Sequence, residues 1–289
     1  MSTAETQAQA VEYPELVIAP PARWSGLRLG ELWAHRELIY FLTKRELQIR
    51  YKQSFFGISW AILQPLVFAF VFALFFGLVL KVQVPGDIPY PVFAVAGIVP
   101  WQFTSQAITA GSSSLVLDAD LISKVYFPRL ALPISKALGL ILDLAIALVV
   151  VVVVTLAYGV PISSMVYLVP AFLLLGVVTA FGLATLLSAL NVKYRDVQVL
   201  VPMLVQILFF ASPVLYSGTI VGQTSGQFWS YLYYINPMAS VLDGTRWALL
   251  AQPAPSAAKV LISVASASLL LLGAVLYFRR AEQYFADVI

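Results

Sequence analysis

Five long stretches of this sequence carry no Asp, Glu, Lys or Arg: residues 53–80, 88–117, 144–192, 197–242 and 260–278. A run of that length has no charge with which to face water, so it lies against protein or against lipid. Composition decides how much of it meets lipid. Charged residues make up 11% of the chain and hydrophobic ones 61%, with a mean hydropathy of +0.89. A soluble domain carries about 25% charged residues, and too few remain here to coat a water-facing surface. The solvent for much of the chain is therefore lipid. The apolar runs show no alternation of period two, and backbone groups in lipid must be satisfied within the structure, so helices are expected rather than a barrel.

About 20 helical residues cross ~30 Å of hydrocarbon. The sequence thus predicts an all-α, polytopic membrane protein with six transmembrane helices near 58–80, 91–114, 134–158, 165–190, 198–216 and 259–278. Gly159 and Pro161 break the third from the fourth, and the polar run 191–196 separates the fourth from the fifth. Residues 217–258 are too polar at their start for a plain crossing, yet contain apolar pieces at 231–235 and 239–250, interrupted by Asn236-Pro237. They read as short re-entrant or interfacial helices on the outer side, between spans 5 and 6.

Fourteen of the 17 Lys and Arg residues fall in segments this topology puts on one side; Lys81, Arg246 and Lys259 fall on the other. The positive-inside rule then places both termini in the cytoplasm. The first 22 residues are polar and proline-bearing without an apolar core, so no cleaved signal peptide is expected. In outline, residues 1–30 form a cytoplasmic N-terminal tail and 31–289 a membrane domain, which opens with an interfacial helix over 31–52 and closes with a cytoplasmic tail over 279–289.

The polar segments carry what specificity there is. On a helical wheel of 31–52, Leu32, Ile39, Leu42 and Leu47 share one side while Glu37, Lys44, Gln48 and Lys52 gather opposite; Arg36 and Arg50 intrude on the apolar side. An amphipathic helix at the cytoplasmic interface explains the pattern, either as a plain anchor or as one that also packs on a cytoplasmic partner. In the loop 118–133, Asp118 and Asp120 are candidate N-terminal caps, and Lys124, Tyr126, Phe127 and Arg129 mix charge with aromatic surface. Such a loop is either a simple connector or a knob for a socket on another protein. Asp143 is the one carboxylate well inside an apolar span. Burying it costs about 2.5–3.5 kcal/mol, so it faces other helices or water, and a structural hydrogen bond near the cytoplasmic boundary is favoured over a proton relay. On the outer side, Phe228, Trp229, Tyr231, Tyr233, Tyr234 and Trp247 form either an interfacial aromatic belt or rings along a path for a sugar chain. Asp243 and Arg246, at i,i+3 on an expected helix, are positioned to pair where a gate would be.

Several classes are excluded or disfavoured. With no cysteine and a single histidine, His35, the chain has neither disulfides nor a Cys/His metal cluster. It lacks a G-x-x-x-x-G-K-[ST] phosphate loop, an H-E-x-x-H pair and a nucleophile elbow, and few carboxylates are placed as an acid/base pair. No catalytic residue, resident metal or bound cofactor is expected, nor a nucleic-acid partner. An ion-coupled transporter needs more intramembrane charge than Asp143 provides.

Longer strings narrow the reading. The run Arg50-Tyr-Lys-Gln-Ser-Phe-Phe-Gly-Ile-Ser-Trp60 with Leu63-Gln-Pro65, then Gly97-Ile-Val-Pro-Trp101, Lys124-Val-Tyr-Phe-Pro-Arg129 and Leu132-Pro133, followed by Asn191-Val-Lys-Tyr-Arg-Asp196, Ser212-Pro-Val-Leu-Tyr216 and Asn236-Pro-Met238, resembles the ABC-2 type permeases that export polysaccharides. The strings occur in that family's order over roughly 35–285, and together they point to the branch handling O-antigen, capsule or teichoic-acid glycans. The resemblance implies a homodimer in a bacterial plasma membrane, joined to two copies of a cytoplasmic ABC-type ATP-binding subunit that carries ATP and Mg. It implies a lipid-linked glycan as cargo, threaded through a channel between protomers. ATPase coupling would fall on Glu37 and Lys44 in the first helix and on Lys124, Tyr126, Phe127 and Arg129 in the loop. Channel or gate candidates are Trp101, Tyr216, Trp229, Tyr233, Asp243 and Arg246. A permease of the same family for a small lipophile or drug is the alternative, an ion-coupled secondary transporter is the alternative from a different class, and a membrane-embedded transferase is a third.

Overall fold

The computed structural model describes residues 29–52, 57–82 and 84–285. Residues 1–28 of the tail expected over 1–30, the stretch 53–56 within the run leading into the first span, and residues 286–289 of the C-terminal tail lie outside the described residues.

Every regular element among the described residues is helical. The chain begins with α1 (Leu29–Ala34) and α2 (Arg36–Lys52), two helical pieces divided at His35. There follow α3 (Ser59–Phe72), which widens into a π-helical segment over Ala73–Val79, then α4 (Tyr90–Leu117), the short α5 (Ala119–Lys124), α6 (Ala131–Gly139) and α7 (Ile141–Ala157). After a 3-10 turn at Val166–Leu168 come α8 (Val169–Lys193), α9 (Val197–Ala211), α10 (Thr219–Ser225), α11 (Gln227–Tyr233), α12 (Pro237–Leu250) and α13 (Ala257–Ala281).

Among the described residues, four helical runs are long and apolar enough to cross a membrane: Ser59–Val79, Ala131–Ala157, Val166–Lys193 and Ala257–Ala281. The apolar α9 is shorter, at 15 residues. At 28 residues α4 is the longest helix, yet its second half is rich in Ser, Thr and Gln. Its surroundings explain that composition. It packs against α3, α6, α7, α8, α9 and α12, so protein rather than lipid covers much of it. Its hydroxyls turn back onto its own carbonyls: Thr104 onto Pro100, Ser112 onto Thr109 and Ser114 onto Gly111, at 2.7–2.9 Å. Small residues let neighbours approach closely. A Cβ on Gly111 would meet Ala184 of α8, and one on Gly182 would stand 3.3 Å from the backbone of Leu271 in α13.

The expected fifth span runs to 216, whereas α9 stops at Ala211. Pro213 has no N–H to continue a helix and forces the residue before it out of helical geometry; Ser212 accordingly sits at φ −111°, ψ 150°. The segment 217–258 holds three short helices. The last of them, α12, starts at the Asn236-Pro237 interruption: the Asn236 side chain accepts from the Met238 N–H at 3.1 Å, and Pro237 takes the first helical position.

The charged residues concentrate at one end of the bundle, where α4 passes into α5 and where α8 and α13 finish with Lys193, Arg279 and Arg280. At the opposite end, α11 and α12 carry Trp229, Tyr231, Tyr233 and Trp247, with Tyr234 directly after α11. These are called below the basic end and the aromatic end.

Candidate functional site

At the basic end a chain of ion pairs fastens α2 to the bundle. Arg45 pairs with Asp118 and contacts Glu46 at 3.5 Å, and Lys136 of α6 reaches Glu46 at 2.6 Å and Asp118 at 3.5 Å. One turn further along α2, Arg50 donates to Asp143 of α7 at 2.5 Å. The intramembrane acid thus has a structural cationic partner, and Arg50, out of place on the apolar side of the wheel, is that partner. Arg45 and Lys136 also settle the role of Asp118. It is no side-chain cap of α5, because its carboxylate is engaged by two cations, each a stronger partner than a terminal backbone N–H. Only its backbone oxygen serves the helix, accepting from Leu121 and Ile122.

The coupling candidates divide into two sets. Glu37 and Lys44 are exposed on α2, as is Lys124 at the end of α5. Tyr126 stands 97% exposed, while its neighbour Phe127 is 5% exposed and packs with Leu42, Leu130, Phe278 and Phe285. The chain leaves α5 in extended geometry at Val125, at φ −134°, ψ 133°, and of the two rings that follow one is exposed and the other buried. Arg129 is tied down by donating to the Glu282 carbonyl at 2.8 Å, and its guanidinium lies 5.7 Å from the centre of the Phe285 ring. Tyr126 is thus the ring of this loop that faces outward.

At the aromatic end Arg246 is 1% exposed. It does not pair with Asp243 one turn earlier. Its guanidinium donates to the carbonyls of Phe93 at 3.3 Å, Pro213 at 2.5 Å, Tyr216 at 3.1 Å and Val214 at 2.5 Å. Asp243, 6% exposed, accepts instead from the Tyr234 hydroxyl at 2.7 Å and the Gly218 N–H at 3.3 Å. The i,i+3 pairing rule describes solvated helix faces; inside the bundle each charge takes the partners that its neighbours present. Burial pushes the Tyr234 hydroxyl above its ordinary range and the Asp243 charge adds to this, so the group stays a neutral donor.

The ring candidates also separate. Trp101 is buried, edge-on to Phe209 at 5.7 Å, and so belongs to the core between α4 and α9. Tyr216 and Tyr233 share a hydroxyl contact of 3.0 Å at the margin of that core, and Trp229 is exposed on α11. The four-carbonyl clasp of Arg246 and the Tyr234–Asp243 contact have no signature in the sequence. The pair Arg50 and Asp143 does have one: two opposite charges, each out of place in an apolar setting. Among the described residues no three His, Asp or Glu side chains cluster so as to hold a metal ion.

A helical bundle of this kind, with apolar runs of crossing length, a charged end and non-crossing helices before the last run, defines a multi-pass membrane protein. The family model of the ABC-2 type transporter matches residues 37–250. The O-antigen export system permease protein RfbA of Myxococcus xanthus is 31% identical over 259 residues, covering 90% of this chain and 98% of the relative. The Klebsiella pneumoniae protein of the same description is 31% identical over 207 residues, 71% of this chain and 77% of the relative. The chain belongs to the ABC-2 type transporter family.

Proposed function

We propose that this chain is the transmembrane permease subunit of an ATP-driven exporter that moves a lipid-linked polysaccharide of the O-antigen type across the bacterial plasma membrane. One observation carries the reading: the 31% identity to a protein described as an O-antigen export permease extends over 98% of that relative's length. In this reading α3, α4, the α6–α7 run, α8, α9 and α13 make six crossings, α10 to α12 form the non-crossing gate segment, and both termini are cytoplasmic. Residues 1–30 are then the N-terminal tail, and α1–α2 lie at the cytoplasmic interface as the first part of the membrane domain. The concentration of Lys and Arg at one end supports that orientation.

The chain binds no cofactor in this reading and is no enzyme; ATP and Mg sit on two copies of a separate subunit. Exposed Glu37, Lys44, Lys124 and Tyr126 are the surface that meets it, with Phe127 and Arg129 anchoring the loop from behind. Two copies of the chain enclose the path. Exposed apolar side chains on α3, its π-helical continuation and α9, among them Phe70, Leu78, Val199 and Phe210, suit cover by lipid or by a second copy. Tyr216, Trp229 and Tyr233 border the outer gate, which Asp243 and Arg246 hold in shape, and Trp101 supports it from the core. The test is deletion of the chain in its host. Lipid-linked glycan is expected to accumulate on the cytoplasmic face, restored by the wild-type chain only together with a hydrolysis-competent ATP-binding subunit. Surface glycan unchanged by the deletion would refute the proposal.

A further inference from the structure

Between α2, α3, α4 and α7 lies a cavity of about 510 Å³, within the roughly 300–1,000 Å³ of small-molecule sites. Its polar wall comes from four elements: Arg50 and Tyr51, Gln64, Gln102 and Gln106, and Asp143. Three of these residues keep a buried polar atom without a hydrogen-bond partner, namely Tyr51 Oη, Gln102 Nε2 and Asp143 Oδ1. Each such atom costs about 1–3 kcal/mol, and all three belong to side chains of the cavity wall.

The charge balance says which ligand fits. Arg50 is neutralised by Asp143 at 2.5 Å, and the remaining polar groups are amides and a phenol. An anion entering here meets a carboxylate beside the only guanidinium. A hydrocarbon chain would leave the amide and phenol atoms unsatisfied. A group that donates and accepts at many points while carrying no charge matches both the amides and the apolar remainder of the wall. A pyranose does so, with hydroxyls at its rim and C–H faces for the rings of Trp60 and Phe103.

We propose that this cavity binds a neutral hexopyranose unit. Its assignment to the exported cargo rests on the glycan-permease reading; the affinity of the cavity for a neutral sugar does not. The test uses the purified full-length chain in detergent with methyl α-D-mannopyranoside and methyl β-D-galactopyranoside as probes, followed by saturation-transfer NMR. At least one glycoside is expected to receive saturation at its ring protons. Gln102→Leu with Gln106→Leu is expected to weaken the signal about tenfold, the equivalent of one to two lost hydrogen bonds. Gln64→Leu, on α3, provides a second reading should the double variant not fold. No transfer to either glycoside, an equal signal in the folded variants, or displacement of the glycoside by inorganic phosphate would overturn the proposal. Glycoside binding in a chain whose deletion leaves surface glycan unchanged would sink the export reading and keep the site. Export without any glycoside binding would sink the site alone.

Discussion

The guanidinium of Arg246 lies 3.6 Å from the centre of the Phe93 ring while donating to four backbone carbonyls, one of them that of Phe93 itself. One side chain therefore holds α12 against α4 and fixes the turn that ends α9. A flat cation with five N–H donors suits the task, because its face covers the ring while its edges reach several carbonyls. Replacement by Met leaves those carbonyls short of a donor and is expected to destabilise the protein by about 3 kcal/mol or more. Arg246→Lys is expected to recover little, since a compact ammonium cannot span the same carbonyls. Thermal unfolding in detergent, read by tryptophan fluorescence, checks both; a Lys variant as stable as wild type would contradict the clasp.

Close approach at Gly97 is part of the same arrangement. A Cβ there would stand 2.6 Å from the Val214 carbonyl oxygen and collide with the Arg246 guanidinium, whereas one on Gly273 meets nothing within 4 Å. Gly97→Ala is expected to cost about 1–3 kcal/mol by overpacking. Gly273→Ala is expected to be neutral or stabilising by up to about 1 kcal/mol, through helix propensity. Equal melting curves for the two variants would mean that α4 and the 213–216 turn are further apart than described.

Two adjacent tyrosines differ in what their hydroxyls do. That of Tyr234 satisfies the buried Asp243, and that of Tyr233 meets the partly exposed Tyr216. Tyr234→Phe leaves a buried carboxylate with one partner fewer and is expected to cost about 1.5–3 kcal/mol; Tyr233→Phe is expected to cost about 1 kcal/mol or less. Chemical denaturation of the two single variants gives the comparison, and a reversed order would exclude Tyr234 as the supporting donor.

Helix positions were legible in the sequence wherever lipid or a buried core demands a long run without charge. The expected spans at 58–80, 91–114, 165–190 and 259–278 differ from the observed helical runs by no more than three residues at either end. The C-terminal stop of α9 was less legible. Ser212-Pro213 marks it locally, but the turn is completed by Arg246, a residue 33 positions later. Asp243 and Arg246 were expected to pair with each other and take other partners instead, because sequence spacing describes a helix face and not what packs onto it. For Phe127, the reading of Tyr126-Phe127 as one knob missed that one of the two adjacent rings is exposed and the other buried. Asn236-Pro237, read in the sequence as an interruption between two apolar pieces, is the cap that starts α12, and both residues act within one turn of the backbone.

Burial also separates the ion pairs at the basic end. Lys136 is 12% exposed and Glu46 15%, while Arg45 is 40% exposed. Removing one partner of a buried pair costs about 3–5 kcal/mol, so Lys136→Met is expected near the lower bound. Arg45→Met is expected to cost about 1 kcal/mol or less, since water screens the pair. Raising salt to about 0.5 M should shrink the Arg45 effect and spare that of Lys136. Unfolding curves at two ionic strengths check this, and equal salt sensitivity would argue against the burial difference.

The loop after α5 yields a prediction in which stability and function part company. Tyr126 is almost wholly exposed and its removal should leave the melting curve within ±0.5 kcal/mol of wild type. Phe127 fills a core contact, and Phe127→Ala is expected to cost about 3–5 kcal/mol. If Tyr126 seats in the ATP-binding subunit, Tyr126→Ala will uncouple the assembly while the permease remains folded: the subunits co-purify less well and surface glycan falls. Tyr126→Phe should keep both, since the ring and not the hydroxyl supplies the apolar contact. Pull-down of the ATP-binding subunit by each variant, set beside its melting curve, tells the roles apart. A Tyr126→Ala chain that folds, binds its partner and exports normally would remove this ring from the coupling surface and leave the contact to Glu37, Lys44 and Lys124.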